Sequence, residues 1–199
     1  MHHKGVQKMV MGVIDFSHFL MEQAIEEGET VIDATCGNGN DTLFLSKLVG
    51  DTGHVFAFDI QELAIDNTKQ LLEVHSRQNV TLIKDSHANL DQYMDENNRK
   101  NLGGAIFNLG YLPRSDKQIV TKKESTIAAV QSLLQLIRPR GIIVLVVYHG
   151  HAGGELEKEA ILNYVTKLDQ KKVHVLKYEF MNQKNKPPFI IAIQKRGEK

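Results

Sequence analysis

The chain has 199 residues, of which 42% are hydrophobic and 24% charged, and its formal net charge is zero. At roughly 100–200 residues per domain, this length corresponds to one domain and excludes a second full catalytic domain. The composition excludes disordered, collagen-like and coiled-coil proteins, and no apolar run reaches the roughly 18 residues of a membrane helix.

Hydrophobic periodicity along the chain predicts strands that alternate with helices. The predicted strands are 30–35, 54–59, 80–83, 104–108, 142–148, 173–180 and 189–194. The predicted helices are 16–25, 41–48, 61–75, 88–96, 126–137 and 155–168. The run 142–148 is apolar on both faces, which is typical of a central parallel strand covered by helices on each side. We therefore predict a doubly wound α/β fold with a mostly parallel, seven-stranded sheet and an antiparallel hairpin at one edge.

Two features bear on the location of the protein. The first ten residues lack the apolar stretch of a signal peptide. Cys36 is the single cysteine, so no internal disulfide can form, and this suits a reducing compartment. We therefore expect a cytoplasmic protein.

A glycine-containing loop follows the first predicted strand and opens a predicted helix, which is the context of a nucleotide-binding loop. Gly37 and Gly39 let the backbone turn sharply and approach a ligand. A dinucleotide fingerprint needs a third glycine where this chain has Thr42. An acid four residues before the first glycine, Asp33, instead suits the cationic methionine end of S-adenosylmethionine, directly or through water. The candidate cofactor-binding residues of this loop are Asp33, Gly37, Asn38, Gly39, Asn40, Asp41 and Thr42.

Acids also follow the second and third predicted strands. Asp59 lies 20 residues beyond Gly39, where a carboxylate accepts hydrogen bonds from both ribose hydroxyls. The run 85–87 lies where an adenine amino group is usually bound. The candidate residues here are Asp59, Ile60, Gln61, Asp85, Ser86 and His87. The alternatives are turn and cap roles for the acids and a loop histidine without ligand. Cys36 is interpreted as a small residue in a tight turn rather than a nucleophile.

The segment 108–113 after the fourth predicted strand is similar to the Asp/Asn-Pro-Pro-Tyr/Phe signature with which many methyltransferases hold an amino nitrogen. Leu109 and Gly110 replace the two prolines. The Asn108 side-chain oxygen and the next backbone carbonyl can accept hydrogen bonds from an N–H and so orient the nitrogen lone pair. Tyr111 offers a ring face for stacking a base. This pattern favours methylation of nitrogen, and the alternative for Asn108 is a turn residue at a strand end.

Two histidines leave the fifth predicted strand in Tyr148-His149-Gly150-His151. His149 is a candidate catalytic residue, as substrate contact or base, and the alternative is an exposed loop histidine. A His-x-His pair without a nearby third ligand does not indicate a metal. The run 187–189 before the last strand is either a substrate wall or, as we favour, a rigid hairpin turn.

Charge is distributed unevenly between the two parts of the chain. Residues 1–113 contain 8 Lys and Arg against 16 Asp and Glu, whereas residues 114–199 contain 16 against 8. This suggests a local basic face that positions phosphates, and the alternative is simple solvation of helices and a hairpin. The candidate substrate-binding residues are Leu109, Gly110, Arg114, Lys117, Lys122, Lys123, Tyr148, His151, Pro188 and Phe189, with Lys184 and Lys186 as a second basic set.

Taken together, the motifs at 33–42, 58–61, 107–113, 146–151 and 187–189 resemble the small bacterial methyltransferases long described as rRNA methylases. Assigned members of that family methylate 5-aminomethyl-2-thiouridine at the tRNA wobble position. The resemblance implies a class I methyltransferase fold, S-adenosylmethionine as methyl donor, no metal, the tRNA anticodon loop as partner and no membrane partner. It leaves a homodimer open. We accordingly divide the chain into an N-terminal extension, 1–14, and a single methyltransferase domain, 15–199.

Three functional hypotheses follow. The first is a methyltransferase that acts on the wobble uridine of tRNA. The second is a methyltransferase for rRNA or a small-molecule amine, and the basic second part of the chain favours RNA over the small molecule. The third is an RNA-binding protein that retains the fold without catalysis, against which the complete set Asp33, Gly37, Gly39, Asp59 and Asn108 argues.

Overall fold

The computed structural model describes residues 10–110, 112 and 120–197. Within these residues, seven strands form one sheet in the order β3-β2-β1-β4-β5-β7-β6. The strands are β1 Thr30–Asp33, β2 His54–Asp59, β3 Val80–Lys84, β4 Leu102–Leu109, β5 Ile142–Val147, β6 Val173–Tyr178 and β7 Phe189–Lys195. The helices are α1 Val13–Ala24, α2 Asn40–Leu48, α3 Glu62–Val74, α4 Glu96–Lys100, α5 Lys123–Leu136 and α6 Gly154–Val165, with a 3₁₀ helix at His87–Gln92.

The strand pairing confirms the predicted sheet. β1 to β5 pair in parallel, whereas β7 runs antiparallel to both β5 and β6. The hairpin therefore forms one edge, with β6 outermost and β7 between β6 and β5. This arrangement follows from composition, because β7 is a continuous apolar run that is buried, while β6 carries polar residues and is largely exposed, as suits an edge strand.

Helices cover both faces of the sheet, as predicted for a doubly wound fold. On one face, α1 and α2 pack on the strands through residues such as Met21 and Leu45. On the other face, α5, α6 and the 3₁₀ helix pack through residues such as Leu133 and Leu90. Successive residues of β5 alternate between these two clusters, because side chains in a strand point to opposite faces. In the part of the chain that the structure describes, no helix is both long enough and apolar enough to cross a membrane.

The predicted helix 88–96 is wrong. The structure places a 3₁₀ helix at His87–Gln92 and a separate short α4. Ser86 accepts a hydrogen bond from the Ala88 backbone nitrogen at 3.2 Å, and Asp95 accepts one from that of Asn98 at 2.9 Å. Each of these residues caps its own helix, so the segment forms two short helices instead of one.

Register places the predicted motifs at one edge of the sheet. Asp33 is level with Ala57 of β2 and Ile106 of β4, and Asn108 is level with Val146 of β5. Strands β1, β2, β4 and β5 are parallel, so their carboxyl ends lie at the same edge of the sheet. The cofactor loop after β1, Asp59 at the end of β2 and Asn108 near the end of β4 therefore meet at this edge. This is the edge at which open α/β sheets bind ligands.

Candidate active site

Asp33 braces the cofactor loop from inside the protein. Its carboxylate is fully buried and accepts hydrogen bonds from the Thr35 backbone nitrogen at 3.1 Å and the Thr42 hydroxyl at 2.6 Å. Burial and the nearby charge of Asp41 raise the pKa of the Asp33 carboxyl to about 7. Asp33 and Thr42 therefore hold the two ends of the loop together.

The two glycines of the loop are required by geometry. Gly39 has φ +83° and forms the N-cap of α2. A Cβ at this position would lie 2.9 Å from the Thr68 Cα of α3, too close for any side chain. Gly37 has φ +53°, and its carbonyl accepts a hydrogen bond from the Thr68 hydroxyl at 3.2 Å. The loop thus lies directly on α3 and leaves a cradle of bare backbone, which fits a ligand that approaches closely.

Asp59 links the loop to the end of β2. One carboxylate oxygen accepts from the Gly37 backbone nitrogen at 3.1 Å and the other from the Gln61 backbone nitrogen at 3.0 Å. Burial raises the pKa of Asp59. Each carboxylate oxygen can accept a further hydrogen bond, so Asp59 remains able to bind a pair of ribose hydroxyls. Beside it, the Ile60 side chain is 53% exposed and offers an apolar surface.

The residues after β3 divide into an outer and an inner part. Asp85 is half-buried and accepts hydrogen bonds from Tyr93, Asn89 and the Ser86 backbone nitrogen, in that order of effect, which lowers its pKa. His87 is instead buried, and burial lowers the pKa of its imidazole. Its Nδ1 lies 2.9 Å from the Ala34 carbonyl oxygen. That nitrogen must therefore donate, which leaves Nε2 as an acceptor.

The Nε2 atom of His87 is buried and has no hydrogen-bond partner among the residues that the structure describes. An orphaned buried acceptor carries an energetic cost unless water or a ligand donor reaches it. Together with the bare glycine backbone and the Asp59 carboxylate, it fits a bound group rich in hydrogen-bond donors. Asn38 and Asn40 complete the loop, and Asn38 accepts a hydrogen bond from Asn67 of α3 at 3.0 Å.

Asn108 is held by two polar contacts at the end of β4. Its backbone nitrogen donates to the Thr35 hydroxyl at 2.7 Å, and its side-chain nitrogen donates to Oδ2 of Asp41. A carboxylate only accepts hydrogen bonds, so the amide nitrogen must face Asp41. The amide oxygen of Asn108 is then directed to the other side, where it can accept an N–H of a substrate.

His18 joins this cluster from α1, and the sequence pattern did not identify it. Its Nε2 lies 2.7 Å from Oδ1 of Asp41, and its ring stacks on Phe44 at 3.9 Å between centroids. In the sequence, His18 is one polar residue of an amphipathic helix. Its distance along the chain from Asp41, 23 positions, leaves no local signal for the pairing.

Tyr148 lies beside the Asn108 segment. Its backbone nitrogen donates to the Leu109 carbonyl at 2.9 Å, and a Cβ on Gly110 would be 3.3 Å from its Cβ. The side chain is 37% exposed, and partial burial together with Asp41 raises the pKa of its hydroxyl. Tyr148 therefore presents an aromatic surface at the site. The predicted site residues Tyr111, Arg114 and Lys117 lie outside the described residues.

His149, predicted to contact the substrate or to act as a base, lies in the loop after β5. It is buried, and its ring nitrogens lie 3.2 Å from a Glu155 carboxylate oxygen and 3.2 Å from the Pro187 carbonyl oxygen. These two contacts tie the segment after β5 to the hairpin, and a role of the ring toward a substrate stays a prediction. Phe189 is fully buried against His149, with 5.7 Å between ring centroids. It therefore does not form a substrate wall, and Pro188, which precedes it, is half-buried.

The loop from β5 to α6 also carries His151. Its Nδ1 lies 3.0 Å from the Ala152 carbonyl oxygen, and its Nε2 would be 3.9 Å from a Cβ on Gly110. His151 is therefore near the Asn108 segment, and its substrate contact stays a prediction.

The basic residues Lys122 and Lys123 are exposed where α5 begins. The preceding residue, Thr121, donates its backbone N–H to the Gly110 carbonyl at 3.0 Å and its hydroxyl to Glu157 at 2.7 Å. These bonds place the two lysines near the end of β4. On the hairpin, Lys186 lies 3.6 Å from Glu155, so its charge is partly balanced.

Two alternative chemistries find little support at this edge. Cys36 is buried, and burial followed by the charge of Asp33 raises the pKa of its thiol, which disfavours the nucleophilic thiolate. Among the described residues, no group of three His, Cys, Asp or Glu side chains is arranged to hold a metal ion.

Comparison with known proteins identifies relatives of this chain. The family model described as "Putative rRNA methylase" matches residues 55–194. The chloroplastic tRNA (mnm5s2U34)-methyltransferase of Arabidopsis thaliana is 37% identical over 210 residues, covering 98% of this chain and 76% of the relative.

Two solved structures are also similar over nearly the whole chain. The structure described as a "putative rRNA-methylase" from Clostridium thermocellum has 44% identity and a TM-score of 0.90, covering 94% of this chain and 99% of the other. The structure described as "a putative methyltransferase" from Streptococcus mutans in complex with SAH has 39% identity and a TM-score of 0.85, with the same coverage of 94% and 99%.

Proposed function

The chain belongs to the rRNA methylase family and is an S-adenosylmethionine-dependent methyltransferase, and we propose that it methylates the aminomethyl nitrogen of 5-aminomethyl-2-thiouridine at the tRNA wobble position. The product is 5-methylaminomethyl-2-thiouridine. The observation that carries the proposal is the orientation of Asn108, whose side-chain nitrogen is bound to Asp41. This supports a substrate that has an N–H donor, and the name of the Arabidopsis relative agrees with it.

The residues around the cofactor loop fit S-adenosylmethionine. Gly37 and Gly39 provide the close backbone approach, Asp59 accepts from the ribose hydroxyls, and His87 offers its orphaned Nε2. When bound, S-adenosylmethionine supplies a methyl group on a cationic sulfur. Asp33 acts indirectly, because it fixes the loop that surrounds the binding site.

Asn108 contributes by orienting the amine. An alkyl ammonium with a pKa near that of lysine is neutral in about one molecule per thousand at pH 7, which corresponds to roughly 4 kcal/mol against reaction. A site that removes water from the amine lowers this cost. The Asn108 oxygen then accepts one N–H of the neutral amine and directs the lone pair toward the methyl group. After transfer, the proton leaves the nitrogen for solvent, so a separate protein base is not required.

The RNA docking surface is proposed to include Tyr148 and the exposed pair Lys122 and Lys123. Tyr148 offers a ring face for stacking an unpaired base. The two lysines lie next to the Asn108 segment, where they can contact backbone phosphates without reading sequence. This combination suits a single-stranded loop better than a small-molecule amine, because a small amine has neither a base to stack nor a phosphate to bind.

The test uses purified protein, S-adenosylmethionine and tRNA from cells in which wobble uridine modification stops at the 5-aminomethyl stage. We expect mass spectrometry of the nucleosides to show conversion of 5-aminomethyl-2-thiouridine to its N-methyl product. Parallel reactions contain rRNA or a simple benzylic amine. Methylation of rRNA or of the amine alone would contradict the tRNA proposal, and cofactor binding without any methylation would favour a non-catalytic RNA-binding protein.

A further inference from the structure

We propose that His18 is a positioning residue, which acts through Asp41 to keep the Asn108 side-chain oxygen facing the substrate amine. The three residues come from three elements: His18 from α1, Asp41 from the first turn of α2 and Asn108 from the end of β4. The hydrogen bonds among these residues form in the free protein, and their consequence for catalysis rests on the function proposed above.

Each oxygen of the Asp41 carboxylate has one of the two partners. Oδ1 lies 2.7 Å from Nε2 of His18, and Oδ2 accepts from the side-chain nitrogen of Asn108. The carboxylate is largely buried, with 11% of the side chain exposed, and His18 retains 26%. Because the carboxylate can only accept, Nε2 of His18 must carry a proton. The two bonds together fix the rotation of the carboxylate.

The His18 ring is itself fixed. It stacks on Phe44 with 5° between the ring planes, and the next turn of α1 is anchored by Met21, which is fully buried in the core. The N–H of His18 is therefore already directed at Asp41, and little further side-chain freedom is lost when the hydrogen bond forms. Rigid support of this kind is what keeps a hydrogen-bonding group in a productive geometry.

Loss of the His18 donor would affect Asn108 in a specific way. Asp41 would then be free to rotate or to bind water, and the Asn108 amide would no longer be held with its nitrogen inward. An amide turned by half a rotation presents its nitrogen, which donates and cannot accept an amine N–H. The substrate would still bind through its RNA contacts. The defect should therefore appear in kcat and not in KM.

Two substitutions separate the donor from the ring. His18→Phe retains the stacking on Phe44 and removes the N–H, whereas His18→Gln removes the ring and retains an amide N–H. For His18→Phe we expect a kcat for tRNA methylation that is lower by roughly 10- to 100-fold, as for loss of a hydrogen bond to a charged group. KM for tRNA, Kd for S-adenosylmethionine and Tm should stay close to wild type. His18→Gln should recover most of the rate.

The control is His54→Phe, because His54 also uses Nε2 in a hydrogen bond, at 2.8 Å to Thr81, but lies at the start of β2. We expect this variant to methylate at the wild-type rate. Wild-type kcat in His18→Phe, or equal losses in the Phe and Gln variants, would overturn the proposal.

A readout in the free protein is independent of substrate. The side-chain amide resonance of Asn108, assigned by its absence in Asn108→Ala, should move in the ¹H–¹⁵N spectrum of His18→Phe and stay near its wild-type position in His18→Gln. An unmoved resonance in His18→Phe would refute the coupling. If the wild-type protein methylates no tRNA while the resonance moves as expected, the proposed substrate is wrong and the coupling of His18 to Asn108 stands.

Discussion

The side-chain nitrogen of Asn108 donates to the carboxylate of Asp41, although the two residues lie 67 positions apart in the chain. Asp41 belongs to the predicted cofactor loop and Asn108 to the predicted amine-holding motif. The hydrogen bond joins these two motifs into one unit. It also determines which atom of the Asn108 amide faces a substrate, and the orientation of an amide cannot be inferred from residue type.

Replacement of Asn108 is the sharpest test of the amine-holding role. Asn108→Ala should reduce the single-turnover methylation rate by orders of magnitude while S-adenosylmethionine and tRNA still bind, because the lost interaction orients the nucleophile. Asn108→Asp should also be slow, since its carboxylate cannot donate to Asp41 and is repelled by it. A near-normal rate in Asn108→Ala, measured by rapid quench, would return Asn108 to the role of a turn residue.

Asp59 is expected to dominate cofactor affinity. Asp59→Ala removes two ribose hydrogen bonds to a charged acceptor, each of about 1.5–3 kcal/mol, and also releases the Gly37 and Gln61 backbone nitrogens. Calorimetry should therefore show much weaker binding of S-adenosylmethionine with the fold retained. Asp51→Ala is the control, because Asp51 is almost fully exposed, and its dissociation constant should equal that of wild type. An unchanged value for Asp59→Ala would remove Asp59 from the site.

Gly39 and Gly150 offer a matched pair of glycine substitutions. Gly39→Ala places a Cβ 2.9 Å from the Thr68 Cα at a positive φ, and the backbone term alone costs roughly 1–3 kcal/mol. Thermal unfolding should show a clear fall in Tm, together with lost cofactor binding. Gly150→Ala meets no atom within 4 Å and should leave Tm near wild type. Equal Tm values for the two variants would contradict the close contact between the loop and α3.

Asp33 should make stability depend on pH in an unusual direction. Its pKa is raised from 3.8 to about 7 in the folded protein, chiefly by burial. Between these values the folded state binds more protons than the unfolded state, so this group makes stability fall as pH rises from about 4 to 7. Asp33→Asn has no such group. Denaturant unfolding of the cofactor-free protein should show a flatter pH profile for the variant, and identical profiles would argue against a raised pKa.

The lysines at the start of α5 should affect the binding of tRNA and not the binding of the cofactor. Charge reversal of Lys122 and Lys123 to Glu should raise KM for tRNA and reduce its dependence on salt, since fewer phosphate contacts release fewer counterions. Kd for S-adenosylmethionine should not change. Reversal of Lys171 and Lys172, exposed just before β6 at the other end of the sheet, is the control. If reversal of Lys122 and Lys123 changes neither KM for tRNA nor its dependence on salt, the basic face lies elsewhere, with Lys184 and Lys186 as the next residues to reverse.

Local sequence was sufficient for most of the fold. The apolar runs predicted all seven strands, and β2 begins and ends where expected, because a strand buried on both faces needs a continuous apolar segment. The cofactor loop was also predictable, since Gly37 and Gly39 meet a backbone requirement that lies within the loop itself. The single helix predicted for 88–96 was wrong because two side chains, Ser86 and Asp95, each cap a separate short helix there.

The partners of the polar side chains were decided only by the tertiary structure. His18, Asp41 and Asn108 come from three separate elements, and they meet because parallel register and the packing of α1 on the sheet bring those elements to one edge. His149 shows the same limit, because its two partners come from α6 and the hairpin. Hydrophobic periodicity is a property of neighbouring residues, and the sequence determines it directly. A hydrogen bond needs two atoms within about 3 Å, and residues distant in the chain reach that distance only when the whole sheet has formed.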